Sequence, residues 1–225
     1  MALTIYKAPP ASGIRGVLFD MDGLVLDTEK LYTRFWREAC AFYGFSMSLS
    51  QALRMRAANS RLSEANIHEF FGPEADYRAI HAKRVELMGA WIEIHGVEPK
   101  PGIYELLDHL DAGNIPTAIT SSSPADRIEK HLRSLNLYHR FSKICSGYDI
   151  PHGKPAPDIY LWGAASLGLP PEACLALEDA PLGILAAHRA GCYSVMIPDQ
   201  DEPDADTLSL LDAKADSLAD LISLL

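Results

Sequence analysis

The chain has 225 residues, which at roughly 150 residues per domain implies one full core with a smaller unit beside it. Hydrophobic residues at 48% and charged residues at 22% match an ordinary globular chain and exclude wholesale disorder or a collagen-like design. The formal charge of -10 opposes binding to a polyanion, so neither nucleic acid nor an anionic membrane is an expected partner.

No apolar stretch approaches the roughly 20 residues that span a bilayer, and residues 1–12 lack the basic-then-apolar pattern of a signal peptide. A cytoplasmic monomer is expected. Cys40, Cys145, Cys174 and Cys192 form no CxxC pair and have no histidine at zinc-site spacing, so they read as buried reduced thiols.

In chain order, residues 14–20 (IRGVLFD) form a short apolar run flanked by Gly13 and Gly23, which predicts a buried strand ending at Asp20. From residue 28 to about 95 the spacing turns helical, with Leu31, Phe35, Trp36, Ala39, Cys40 and Tyr43 on one face. Further helices are predicted over 48–58, 60–71 and 73–94, and residues 96–102 read as a Pro/Gly linker. Beyond it, helices at 103–112, 124–135, 156–167 and 181–190 alternate with strands at 117–120, 141–146, 174–177 and 193–197, Gly191 closing the last helix. Such alternation predicts an α/β fold, a doubly wound parallel sheet with helices on both faces. A lone first strand cannot bury its own surface, so it joins the later sheet. The expected organisation is a core of residues 1–27 and 98–225, interrupted by a helical unit of residues 28–97.

In open α/β sheets ligands bind beyond the carboxyl ends of the strands. There the first strand delivers Asp20 and Asp22, the second Thr120, Ser121, Ser122 and Ser123, and the fourth Glu178 and Asp179, while Lys154 follows the third. Asp22-Gly23 alone could be an ordinary turn, and Met21, Leu24 and Val25 break any calcium-loop series. Ser123 before Pro124 reads as a helix cap. Taken together, a carboxylate cluster, a hydroxyl and a lysine suit metal-assisted phosphoryl transfer, because a carboxylate nucleophile can approach a phosphoryl group only if a cation screens the repulsion. Hard oxygen donors favour magnesium, with Asp20, the Asp22 carbonyl and Asp179 as ligands and Glu178 either a further ligand or the holder of a metal-bound water.

The segments FDMDGLVLDTE, AITSSS, GKPAPD and LEDAPLGILAAHRAG resemble the four ordered motifs of the haloacid-dehalogenase superfamily, and residues 28–97 resemble its small helical cap. The resemblance implies that Asp20 is the nucleophile, Asp22 the general acid/base, Ser121 and Lys154 the phosphate holders with Ser122 beside them, and Glu178 and Asp179 the metal side. Asp22 argues against the dehalogenase and phosphonate-hydrolase branches, which lack that residue. The wording is similar to pseudouridine-5′-phosphatases and sugar- or polyol-phosphate phosphatases, and also to β-phosphoglucomutase. The expected substrate is therefore a small phosphorylated metabolite. A non-catalytic binding protein on the same scaffold is the third reading, opposed by the complete set of catalytic positions.

The resemblance puts substrate choice in the cap, where Asn59, Arg61 and Lys83 are candidate contacts, with Arg54, Arg56 and His81 behind them. Lys83 falls where the mutase carries a cap lysine, and Ala58 replaces the usual glycine of that turn. Residues 27–29 and 98–102 are expected to form a two-stranded hinge. Tyr32 stands where the mutase carries the histidine that couples its proton transfers, which favours a hydrolase over a mutase.

Overall fold

The computed structural model describes residues 3–55, 60–199 and 202–225. The chain divides into two compact units, residues 1–27 with 98–225 and residues 28–97.

The first unit is α/β. Its seven strands are β1 (Leu3–Ile5), β2 (Gly16–Phe19), β3 (Thr117–Ser121), β4 (Lys143–Ser146), β5 (Cys174–Glu178), β6 (Tyr193–Met196) and β7 (Ala213–Ala215). They form one sheet in the order β1-β7-β6-β5-β2-β3-β4. Every pairing is parallel except β1 with β7 at the edge. The central β2 is buried along its whole length, as a strand covered on both faces requires, which is why its sequence is a continuous apolar run and not an alternation.

Helices α5 (Ile103–Ala112), α6 (Ala125–Ser134), α7 (Asp158–Ser166), α8 (Pro181–Ala190) and α9 (Ala205–Leu210) flank this sheet. In α5, Ile103, Leu106, Leu107 and Leu110 recur at helical spacing and all are fully buried. Helix α7 packs on β2, β3 and β4 and lies beside α8. Gly163 permits that approach: a β-carbon there would stand 2.6 Å from Thr120 Cγ2 and 3.2 Å from Leu18 Cδ2.

The second unit is helical: α1 (Glu29–Phe42), α2 (Leu49–Leu53), α3 (Ser60–Phe71) and α4 (Tyr77–His95). Helices α1 and α4 pack together, with Trp36 stacked on Tyr77 at 6.3 Å and Phe35 against Trp91. The start of α4 is four residues later than the spacing predicts, because the Asp76 side chain accepts from the Ala79 N–H (3.0 Å) and caps the helix there. Helix α2 opens on a reciprocal Ser48–Gln51 capping box and is shorter than predicted. Residues 56–58 of that prediction lie outside the described residues.

Strands β1 and β7 and helix α9 have no counterpart in the sequence reading. No helix among the described residues is long and apolar enough to cross a membrane.

Candidate active site

Strand β2 has β3 on one side and β5 on the other. The chain runs outward from β2 through β3 to β4, then returns to β5 on the opposite flank, so the strand order reverses at β2, and it is at the carboxyl end of such a switch point that open α/β sheets bind ligands. Asp20 is the first residue past β2, and its N–H donates to the Leu177 carbonyl of β5 (3.1 Å). The chain then turns sharply: the N–H groups of Val25 and Leu26 both donate to the Met21 carbonyl, and Gly23 takes φ of 91°, which a residue without Cβ adopts at little cost. Residues 25–27 pair with 98–100 through Lys100 N–H to Val25 and Asp27 N–H to Glu98, both 2.9 Å. The expected ladder at 27–29 is thus displaced towards the N-terminus, since Glu29 already belongs to α1.

Four ionisable side chains converge at this edge. Lys154 Nζ lies 2.5 Å from Asp20 Oδ1 and 2.5 Å from Glu178 Oε1, and only 2% of Lys154 is exposed. Carboxylate oxygens of Asp20, Glu178 and Asp179 all fall within 4.8 Å of one another. Tyr160, fully buried on α7, donates its hydroxyl to Glu178 Oε1. Burial, with Glu178 and Asp20 nearby, pushes the Tyr160 phenol far above its ordinary range, which keeps it a donor. Burial raises the Asp20 carboxyl well above the usual carboxylate range; Lys154 opposes this, and Glu178 and Asp179 add to it. Burial alone would lower Lys154, but Asp20 and Glu178 outweigh it and hold the ammonium charged.

This donor set suits a divalent cation. All the candidate side-chain ligands are oxygens, the choice of a hard ion such as magnesium. One carboxylate oxygen, Glu178 Oε2, is buried with no hydrogen-bond partner among the described residues, an unfavourable state for a polar atom unless something coordinates it. Gly183 on α8 leaves Glu178 its place, for a β-carbon there would stand 1.9 Å from Glu178 Cδ.

The hydroxyl side is built by β3 and the turn after it. Ser121 is buried at the end of β3, and its Oγ accepts from the Ser123 N–H (3.1 Å). Ser122 is exposed. Ser123 corrects the sequence reading: α6 is preceded by Pro124, which makes no side-chain cap, and Ser123 Oγ instead donates to Asp22 Oδ2 (2.7 Å). Arg127 Nη2 in turn donates to Ser123 Oγ (2.5 Å). Sequence reasoning missed Ser123 in this role, Arg127 and Tyr160. The available signals were a hydroxyl and an arginine four residues apart, and a tyrosine just past GKPAPD.

In the helical unit, Asn59, Arg56 and Ala58 lie outside the described residues. Arg61 is exposed in the first turn of α3. Lys83 pairs with Glu86 (2.7 Å) and lies over the Phe42 ring, and Arg54 pairs with Glu69. Among the described residues, the buried cation of this unit is Arg84, whose guanidinium lies 5.0 Å from the Tyr32 ring and 5.1 Å from the Trp36 ring. His81 is 3.2 Å from Arg84 Nη2.

Residues 17–197 match the family described as haloacid dehalogenase-like hydrolase. The chain is 34% identical over 192 residues to the "probable pseudouridine-5'-phosphatase" of Drosophila melanogaster, covering 81% of this chain and 80% of that one. It is 32% identical over 183 residues to fructose-1-phosphate phosphatase YqaB of Escherichia coli strain K12, covering 80% and 94%. Among solved structures, β-phosphoglucomutase of Clostridium difficile superposes with a TM-score of 0.78 at 24% identity, covering 92% of this chain and 93% of that one.

Proposed function

Because the chain belongs to the haloacid dehalogenase-like hydrolase family, we propose that it is a magnesium-dependent phosphatase that cleaves a small phosphorylated metabolite through a phosphorylated Asp20. Sugar, polyol and nucleoside monophosphates are the substrate class, in keeping with the names its relatives carry. The observation that carries the reading is the convergence of Asp20, Lys154, Glu178 and Asp179 at the point where the strand order reverses.

Asp20 attacks phosphorus in line, forming an acyl phosphate as the P–O bond to the leaving group breaks, and the protonated Asp22 carboxyl gives its proton to the departing alkoxide. Asp22, now a carboxylate, takes a proton from the water that attacks the acyl phosphate, which releases inorganic phosphate and returns Asp20. Ser121 and the Lys154 ammonium hold the phosphoryl oxygens. Asp20, Asp179, Glu178 and the Asp22 carbonyl would hold magnesium, which when bound supplies the positive charge that screens Asp20 from the phosphoryl group. Residues 28–97 act as the cap that selects the substrate, with the paired segments 25–27 and 98–100 as its hinge.

The test is release of phosphate from a panel of sugar, polyol and nucleoside monophosphates with magnesium, wild type beside Asp20→Asn. Turnover of at least one substrate that Asp20→Asn abolishes is expected. An Asp20→Asn variant with near wild-type turnover, or a wild type inert towards the whole panel, would overturn the proposal.

A further inference from the structure

We propose that Arg127, acting through Ser123, is the device that positions Asp22 for proton transfer. The inference rests on the acid/base reading of Asp22 given above.

An arginine side chain has donors only, and a serine hydroxyl has one proton. Since Arg127 Nη2 donates to Ser123 Oγ, the hydroxyl proton is left to point at Asp22 Oδ2. The direction of the chain Arg127 to Ser123 to Asp22 is therefore settled by chemistry. Both links involve a charged group when Asp22 is ionised, and charge-assisted bonds in series polarise one another.

Ser123 is itself pinned at three points. Its N–H donates to Ser121 Oγ (3.1 Å), its carbonyl accepts from Ser146 Oγ (2.7 Å), and its hydroxyl joins the chain just described. Only 2% of the residue is exposed. The following Pro124 carries no N–H and makes no side-chain cap on α6, while the Ser123 hydroxyl donates to Asp22, 101 residues away. Arg127 reaches back one turn along α6 to hold it. A carboxylate that must give a proton in one half-reaction and take one in the next needs a fixed orientation in both, and such placement governs rate steeply.

The experiment compares Ser123→Ala, Arg127→Gln and Asp22→Asn on two substrates. One is the sugar or polyol phosphate turned over fastest in the panel, whose alkoxide needs a proton to leave. The other is p-nitrophenyl phosphate, whose leaving group departs without one. The value kcat/KM reports the phosphorylation step for both. Ser123→Ala and Arg127→Gln are expected to lower it about a hundredfold on the alkyl phosphate and to leave the aryl phosphate within a few fold. KM and magnesium affinity by calorimetry should barely change. Ser123→Thr and Arg127→Lys, which keep the hydroxyl and the charge, should recover part of the loss and carry the test if either truncation fails to fold. Equal losses on both substrates, or none on the alkyl phosphate, would reject the positioning role. If Asp22→Asn shows no preference between the two substrates, the acid/base reading fails and this inference with it. If Asp22→Asn alone is selective, only the inference fails.

Discussion

Gly183 faces Glu178 so closely that a β-carbon on the glycine would stand 1.9 Å from the carboxyl carbon of the glutamate and 2.0 Å from its Oε1. The buried carboxylate occupies space that any other residue of α8 would fill. Gly183→Ala must therefore drive Glu178 away from Lys154 and Tyr160, or push α8 off β5. Overpacking of this kind costs about 1–3 kcal/mol. The expected outcome is a lower urea midpoint together with weaker magnesium binding in calorimetry. Wild-type values for both would show that Glu178 relaxes freely and has no fixed place in the site.

The raised Asp20 carboxyl would set the proposed magnesium in competition with a proton. Its folded-state pKa lies above the unfolded value of about 3.9, so between the two the folded chain binds the extra proton. Stability from this group is present at acid pH and is lost as pH rises through the folded pKa. Magnesium, held by the ionised form as proposed, would reverse that loss. At a hundred times its Kd it should add about 2.7 kcal/mol, or about 5–10 °C in Tm for a chain of this size. The magnesium-induced rise in Tm should grow as pH is raised from the acid side through the folded-state pKa; a rise that shrinks as pH is raised contradicts the assignment.

Lys154 is the cation that Asp20 and Glu178 share. Removing it strands two buried carboxylates, and breaking such a pair from one side costs about 3–5 kcal/mol. Lys154→Met should lower the unfolding free energy by about that amount in metal-free buffer, and magnesium should restore part of it. Equal losses with and without magnesium would mean that the ion and the ammonium do not share these carboxylates.

Tyr32 carries the hydrolase-over-mutase choice. A phenol is not a group that switches its protonation near neutral pH in the way an imidazole does, and the proton-coupling role of a histidine needs one that switches near 6.5. The Tyr32 ring also lies beneath the Arg84 guanidinium. With β-glucose 1-phosphate and a trace of the 1,6-bisphosphate, free phosphate should accumulate ahead of glucose 6-phosphate. The reverse order would assign the chain to the isomerising branch.

Local pattern was enough for the α/β class, since a buried parallel strand is a short apolar run and a surface helix repeats its apolar residues every three to four positions. It also drew attention to Asp20, Lys154, Glu178 and Asp179, because each falls at or beyond the carboxyl end of a strand and parallel strands bring those ends to one edge. Strands β1 and β7 escaped notice: at three residues each they are too short to show a period, and they exist through pairing, β7 with β6 and β1 with β7.

Ser123 marks the other limit of the sequence. Its position before Pro124 favours a helix cap on local grounds, yet its hydroxyl bonds to Asp22, 101 residues away. The same holds for Tyr160, an apolar-looking helix residue that meets Glu178 deep in the core. Residue types and their spacing determined which groups could do chemistry and at which sheet edge. Which hydroxyl holds which carboxylate was decided only when β2, β3 and β5 became neighbours, because a hydrogen bond is set within a few tenths of an ångström by elements that the chain order leaves far apart.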